Sequence, residues 1–247
     1  MTLSVLVTGG ASGIGKAVAD SFLDDGAAVT IFDRRRSTDP RVKSVLGDVR
    51  VYEDNERAVG TAAIDGRLDV LIVNAGIHDG GLRLLDTQPH HLEETFRRVI
   101  DVDVVGYLLA ARAAADSLIA ASGCVVLTLS DAAFDVRSNN AGIAYLTAKH
   151  ACVGLVHGLA RDLAPAVRVN GVAPSGVPTS LVAADGDRDE RPAITDAARL
   201  RSAVASRTLL NRAIELEDVV SAFRFLCGPG AASITGQILR TDGGLIP

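Results

Sequence analysis

Leu3-Ser-Val-Leu-Val-Thr-Gly-Gly-Ala-Ser-Gly-Ile-Gly15 decides how the rest of the chain is read. Leu3 to Val7 is a short apolar run of strand type. The glycine-rich segment from Thr8 to Gly15 follows at once, and Ile14, Val18, Phe22 and Leu23 then recur at helical spacing. Strand, tight turn and helix in immediate succession form a site for a dinucleotide phosphate. Glycines permit close backbone approach, and the first helical turn offers a pyrophosphate N–H groups that lack intrahelical partners. Gly9, Ser12, Gly13, Ile14 and Gly15 are the residues expected there; without this context a glycine-rich turn is only a loop.

Working outward, Ala28 to Phe32 is a second apolar run and ends in Asp33, close to the ~20-residue spacing at which a carboxylate accepts from the adenosine ribose hydroxyls. Such a carboxylate repels a 2'-phosphate, so NAD is expected over NADP, although Arg34 beside it could meet that phosphate. Val42 to Leu46 reads as a third strand leading into Gly47-Asp-Val49. Leu68 to Val73 is a fourth, running into Asn74-Ala-Gly76, a small strand end suited to lie flat against a cofactor or simply to turn. From Pro89 to about Ala121 a long helical region follows, with Leu92, Phe96, Val99, Leu108, Ala111, Ala115 and Leu118 on its apolar side and a break expected near Gly106. Asp103 lies in its middle and is expected either on the outer face or in a polar network.

Cys124 to Leu129 is a fifth strand and closes on Ser130, a hydroxyl where open α/β sheets place their ligands. A polar loop, Asp131 to Asn140, leads to a helix ending before Pro165 that carries Tyr145 and Lys149 four apart on one face. A phenol near ~10 needs about 4 kcal/mol to titrate near ~7. An exposed ion pair cannot supply that, but a cation about 4 Å away in a cleft can. Most isolated Tyr-x-x-x-Lys pairs are solvated neighbours, and the weight here comes from Ser130. Val167 to Val172 reads as a sixth strand leading to Pro174-Ser-Gly-Val-Pro-Thr179, and Gln237 to Arg240 as the last. Residues 180–208 are polar and are read as a mobile cover over the pocket or a solvated excursion, with a short helix from Thr195 to Ser206. Strands and helices alternate throughout, which predicts a single α/β domain over 1–247, doubly wound and Rossmann-type. Its seven-stranded parallel sheet would carry helices on both faces.

Composition narrows the class. The 247 residues are 48% hydrophobic, and 25 basic against 30 acidic residues give a net charge of -5, which argues against a nucleic-acid partner. Arg34-Arg-Arg36 is expected to be a solvated loop. Cys124, Cys152 and Cys227 read as reduced core thiols, consistent with a cytoplasmic protein, and no Cys/His spacing suggests a metal. The first strand leaves no room for a signal peptide, and no apolar run approaches the ~20 residues of a membrane span.

Thr8-Gly9-x-x-x-Gly13-x-Gly15, Asn74-Ala-Gly76, Ser130, Tyr145-x-x-x-Lys149 and Asn170 through Pro174 to Thr179 together resemble the classical short-chain dehydrogenase/reductase family over essentially the whole chain. Asn74-Ala-Gly-Ile-His-Asp79, Ala148 to Val156 and Leu163 to Val172 are similar to the bacterial cis-dihydrodiol dehydrogenases of aromatic-ring degradation. The resemblance implies an NAD-dependent oxidoreductase, usually a homotetramer, that acts on a small-molecule alcohol. Tyr145 would be the base, Lys149 its activator and a ribose ligand, and Ser130 the group bonding the substrate oxygen. It also places Asp48, Val49, Asn74, Ala75, Gly76, Pro174, Gly176, Val177 and Thr179 on the cofactor, with His78, Asp79, the 131–140 loop and the segment after Thr179 on the substrate side. Two positions depart from the family pattern. Asp103 stands where an asparagine usually holds a relay water, and a carboxylate accepts from water but cannot donate as an amide does. The usual Pro-Gly pair after the sixth strand is Pro174-Ser175 here, followed by Gly176, which would shift backbone contacts near the nicotinamide. The implied reaction is oxidation of a cis-dihydrodiol to a catechol. The alternatives are a reductase or dehydrogenase for an oxoacyl, sugar or steroid-like substrate, and a non-catalytic nucleotide sensor.

Overall fold

Alternating apolar runs and helical segments resolve into one parallel sheet. In the computed structural model, which describes residues 2–136, 141–177, 181 and 197–245, the strands are β1 (Ser4–Thr8), β2 (Ala28–Asp33), β3 (Lys43–Leu46), β4 (Val70–Val73), β5 (Cys124–Thr128), β6 (Arg168–Pro174) and β7 (Ile238–Thr241). Their order is β3-β2-β1-β4-β5-β6-β7, and every pair is parallel. Chain progress reverses between β1 and β4, so the carboxyl ends of these strands frame the crevice where such sheets bind ligands.

The central strands are buried on both faces, hence their unbroken apolar character. On one face Val5, Val7, Ile31, Ile72 and Val126 pack under α1 (Gly13–Asp24) and α7 (Leu216–Cys227) through Val18, Phe22, Val219 and Phe223. On the other, Leu6, Leu71, Val125 and Leu127 meet Ala58 and Ala62 of α2 (Tyr52–Ala62), Ala110, Ala114 and Leu118 of α4 (Gly106–Ala121), and Cys152 and Val156 of α5 (Ile143–Leu163). Each large side chain buried in these layers contributes about 1.5–3 kcal/mol. A third cluster joins α3 (Pro89–Ile100) to α5 through Val99, Ile77, Ala144 and Ala148. α6 (Ala197–Ala205) falls where a short helix was expected and buries Val204 in the α1/α7 layer. Of the expected cover, 180 and 182–196 lie outside the described residues.

Two readings of the long helix need correction. α3 and α4 are not broken at Gly106; a π-helical stretch, Asp101–Val105, joins them into one continuous helix. The wide turn advances the phase, so the buried side after it runs through Tyr107, Ala110, Ala114 and Leu118, while Leu108 is 46% exposed. An 18-residue stretch of this helix also reaches a mean hydropathy of 1.5, long and apolar enough by composition to cross a membrane, contrary to the expectation from run length. Its buried face is packed against the sheet and α2, which accounts for that composition.

Candidate active site

The glycine turn is shaped by contact. Gly9 and Gly13 both have positive φ, +67° and +56°, and a Cβ at Gly15 would collide with the Gly9 carbonyl. Asn74, at the end of β4, ties neighbouring strand ends. Its backbone N–H donates to Thr8 Oγ1 (2.9 Å), its amide donates to the Thr8 and Gly9 carbonyls (3.2 Å each), and it accepts from Thr128 Oγ1 (3.1 Å). That bracing leaves Ala75 and Gly76 along the wall of a cavity of about 240 Å³.

This cavity runs from Asp33 to Lys149 along the carboxyl ends of the strands. Gly9, Ser12, Gly13, Ile14, Asp33, Asp48, Val49, Asn74, Ala75, Gly76, Pro174, Gly176 and Val177 line it, together with Ser130, Tyr145 and Lys149. Gly15 instead packs behind the turn, and Thr179 lies outside the described residues. Arg34 and Arg35, expected in a solvated loop, wall the Asp33 end, and Arg35 Nη2 donates to Ser12 Oγ at 3.0 Å. The Asp33 carboxylate accepts from the Ala11 and Arg35 N–H groups, both at 3.0 Å, and so holds the glycine turn onto β2.

At the opposite end, Ser130 is fixed by the end of β5 and Tyr145 by the first turns of α5. Lys149, one turn further on, reaches back under both. Its Nζ donates to the Thr128 carbonyl at 3.4 Å and sits 5.3 Å from the ring centroids of Tyr107 and Tyr145. The ammonium also lies 2.9 Å from Asp103 Oδ2, with Asp103 fully buried. The polar-network alternative for Asp103 is therefore the one observed. Asp103 Oδ1 accepts from the Ile77 N–H at 2.9 Å, whereas Oδ2 receives no well-aligned hydrogen bond, so its contact with Lys149 is mainly coulombic. Burial pushes the Asp103 carboxyl up, against the pull of Lys149. Burial alone would lower the Lys149 ammonium, but the Asp103 carboxylate, then Tyr107 and Tyr145, outweigh it and hold the ammonium well above its ordinary value.

The Tyr145 phenol differs from the sequence expectation. Lys149 does lower it, but burial outweighs that cation, and with Asp103 and Asp131 adding to burial the phenol is pushed up to about 12. Ser130 also lowers it through a side-chain hydrogen bond. His78 stacks obliquely on Tyr145, 4.7 Å between ring centroids, and lines the cavity as expected. Its Nδ1 accepts from the Gly80 N–H at 3.0 Å, which leaves Nε2 to carry the hydrogen, and burial lowers its pKa further.

Asp79 is a correction. It does not line the cavity. Its carboxylate accepts from the N–H groups of Gly142 (2.9 Å), Ala144 (3.0 Å) and Tyr145 (3.1 Å) and so caps the helix that presents Tyr145. Gly142 is required beside it, because a Cβ there would meet Asp79 Oδ2 at 2.5 Å. Nothing local in the sequence marks a cap supplied from so far along the chain. Asp131, expected with its loop on the substrate side, and Ser175, expected near the nicotinamide, are both buried beside Ser130, and of the two only Ser175 lines the cavity. Among the described residues no three His, Cys, Asp or Glu side chains come together as metal ligands.

A doubly wound sheet with a glycine turn, and a hydroxyl, phenol and ammonium converging at the far end of one crevice, defines a nucleotide-dependent oxidoreductase, and the chain belongs to the short-chain dehydrogenase/reductase family. A family model described as Enoyl-(Acyl carrier protein) reductase matches residues 9–246. The chain is 38% identical, over 98% of its length and 90% of the relative's, to a cis-2,3-dihydrobiphenyl-2,3-diol dehydrogenase of Paraburkholderia xenovorans strain LB400. Among solved structures it resembles ligand-free Thermoplasma acidophilum aldohexose dehydrogenase, with a TM-score of 0.83 and 29% identity over 99% and 94% of the two chains. It also resembles the 3-ketoacyl-(acyl-carrier-protein) reductase of Brucella melitensis complexed with NADH, with a TM-score of 0.79 and 27% identity over 98% and 97%. As a member of the family, the protein is an NAD(P)-dependent dehydrogenase acting on CH–OH groups.

Proposed function

We propose that the protein oxidises a cis-dihydrodiol of an aromatic compound to a catechol with NAD, through Ser130, Tyr145 and Lys149. Convergence of these three side chains at one end of the crevice carries the reading of the reaction. The relative that acts on dihydrobiphenyl diol, matched along nearly its whole length, supports the substrate class.

The residues present fit the cofactor. The positive-φ turn and the absence of a side chain at Gly15 leave the α1 N-terminus open to a pyrophosphate. Asp33 stands in the wall where an adenosine ribose would lie and disfavours a 2'-phosphate, while Ala75, Gly76, Pro174, Gly176 and Val177 face the remainder. When bound, the nicotinamide supplies the hydride acceptor and, oxidised, a further positive charge. The chain's own part is proton handling. Tyr145 would take the hydroxyl proton as the C–H hydrogen leaves with both electrons as hydride, so the alcohol loses one hydride and one proton and becomes a ketone, which tautomerises to the catechol. Lys149 supplies the cation that favours the phenolate, and Ser130 bonds the substrate oxygen. Asp103 holds Lys149 and occupies the relay position.

Leu181 at the cavity wall supports 180–208 as the substrate cover. Exposed Leu108 and Ile119 on α4 support assembly as a homotetramer through the central helices, and three free thiols support residence in the cytoplasm. Appearance of NADH or NADPH from cis-2,3-dihydrobiphenyl-2,3-diol, a simple cyclic alcohol and a hydroxyacyl thioester, each with NAD and with NADP, tests the reading. A strong preference for the diol with NAD is expected, and faster turnover of the thioester would favour the reductase alternative.

A further inference from the structure

His78 lines the cavity beside Tyr145 and takes no part in the proton transfer above. Its position is fixed from several sides. The Ile77 N–H donates to Asp103 Oδ1 at 2.9 Å, and the Asp79 carboxylate accepts from the Gly142, Ala144 and Tyr145 N–H groups, so the backbone is clamped on either side of residue 78. The ring accepts the Gly80 N–H at Nδ1 (3.0 Å) and lies tilted on the Tyr145 ring, 4.7 Å between centroids. Asp79 Oδ1, 3.8 Å from Nδ1, is too far to draw a hydrogen onto that nitrogen. A neutral imidazole held this way carries its hydrogen on Nε2, and burial favours the neutral form. Among the described residues Nε2 has no hydrogen-bond partner. A buried N–H so placed is satisfied only by water or by a ligand in the cavity. Ser175, also on the wall, is already committed, because its Oγ donates to Asp131 Oδ2 at 2.9 Å.

We propose that His78 recognises the second hydroxyl of a vicinal cis-diol, donating from Nε2 to the oxygen that does not react, and so selects diols over mono-alcohols of the same ring. This rests on the dihydrodiol oxidation proposed above. The two oxygens of a cis-diol sit side by side on one face of the ring. With the reacting oxygen at Ser130 and Tyr145, its neighbour falls against the side chain stacked on Tyr145. The reacting hydroxyl keeps its proton for Tyr145 and its bond to Ser130, while the second hydroxyl uses a lone pair to accept from His78. A mono-alcohol leaves that donor unpaired, and a site built to bond a group rejects the analogue that lacks it.

The test titrates cis-cyclohexane-1,2-diol and cyclohexanol into the NADH-loaded enzyme, where neither can be oxidised, and follows NADH fluorescence. The ratio of the cyclohexanol dissociation constant to that of the diol is compared among wild type, His78→Phe and His78→Asn. Phenylalanine keeps a ring against Tyr145 but has no donor. Asparagine keeps an acceptor for the Gly80 N–H, but its amide stops short of the Nε2 position. Loss of that donor is what the two variants share. The ratio is expected to fall roughly tenfold in each. If His78 only braced Tyr145, both ligands would weaken together and the ratio would hold, which overturns the proposal. Should one variant fail to fold, the other decides. Wild-type enzyme that turns over no cis-dihydrodiol would count against the proposed function, while the ratio still decides whether His78 reads the second hydroxyl.

Discussion

Asp103→Asn is the substitution whose outcome depends most closely on the charge arrangement of the site. Asp103 is fully buried, and its Oδ2 is 2.9 Å from Lys149 Nζ, which is in turn 5.3 Å from the centre of the Tyr145 ring. The carboxylate therefore lies within about 8 Å of that ring. At an effective dielectric near ~20 a unit charge at ~8 Å is worth about 2 kcal/mol, or about 1.5 pKa units. Asp103 raises the Tyr145 phenol, so removing its charge lowers that pKa. Asparagine keeps an acceptor for the Ile77 N–H. Lys149 keeps the Thr128 carbonyl and the faces of Tyr107 and Tyr145, which favour its charged form. The assay is kcat/KM for alcohol oxidation, followed by NADH absorbance from about pH 6 to about pH 11. The rising limb should move by about 1 to 1.5 units toward lower pH, with a gain of about tenfold on its acidic flank. A limb that stays in place, or moves upward because Lys149 has lost its proton, would refute this account of the charges.

Other outcomes follow from single contacts. Asp79→Ala leaves the N–H groups of Gly142, Ala144 and Tyr145 without their cap, and should cost about 1–3 kcal/mol, read as a fall in Tm of roughly 3–10 °C, together with a lower kcat. Unaltered kcat and Tm would remove the cap from the account. Asp33→Ala should raise KM for NAD about tenfold while KM for NADP falls, because one carboxylate both binds ribose and repels the extra phosphate; equal changes in both would show that only the turn had been loosened. Gly15→Ala should weaken NADH binding in a fluorescence titration, since the added methyl displaces the Gly9 carbonyl; binding unaffected within error would contradict the close packing of that turn.

The sheet was legible because each strand is an apolar run bounded by a turn residue, and the cofactor crevice because strand, glycine turn and helix are contiguous in the chain. Ser130, Tyr145 and Lys149 were legible for the same reason: two share a helix face, and the third ends the adjacent strand. What the sequence hid depends on distance or on one extra residue. The π turn at Asp101–Val105 carries no compositional mark, yet it moved Leu108 out of the buried stripe and Tyr107 into it. Asp79 looked like a pocket residue because it adjoins His78, but its carboxylate turns to backbone across the fold. The phenol's high pKa could not be read from a Tyr-x-x-x-Lys spacing, since it depends on burial and on Asp103 and Asp131, which come from other elements.

Turnover of Tyr145→Phe, measured with NAD and a cis-dihydrodiol alongside NADH binding, tests the central claim that this phenol handles the proton. The account predicts a loss of roughly a thousandfold or more in kcat with the NADH dissociation constant essentially unchanged. Turnover within about tenfold of wild type would contradict it.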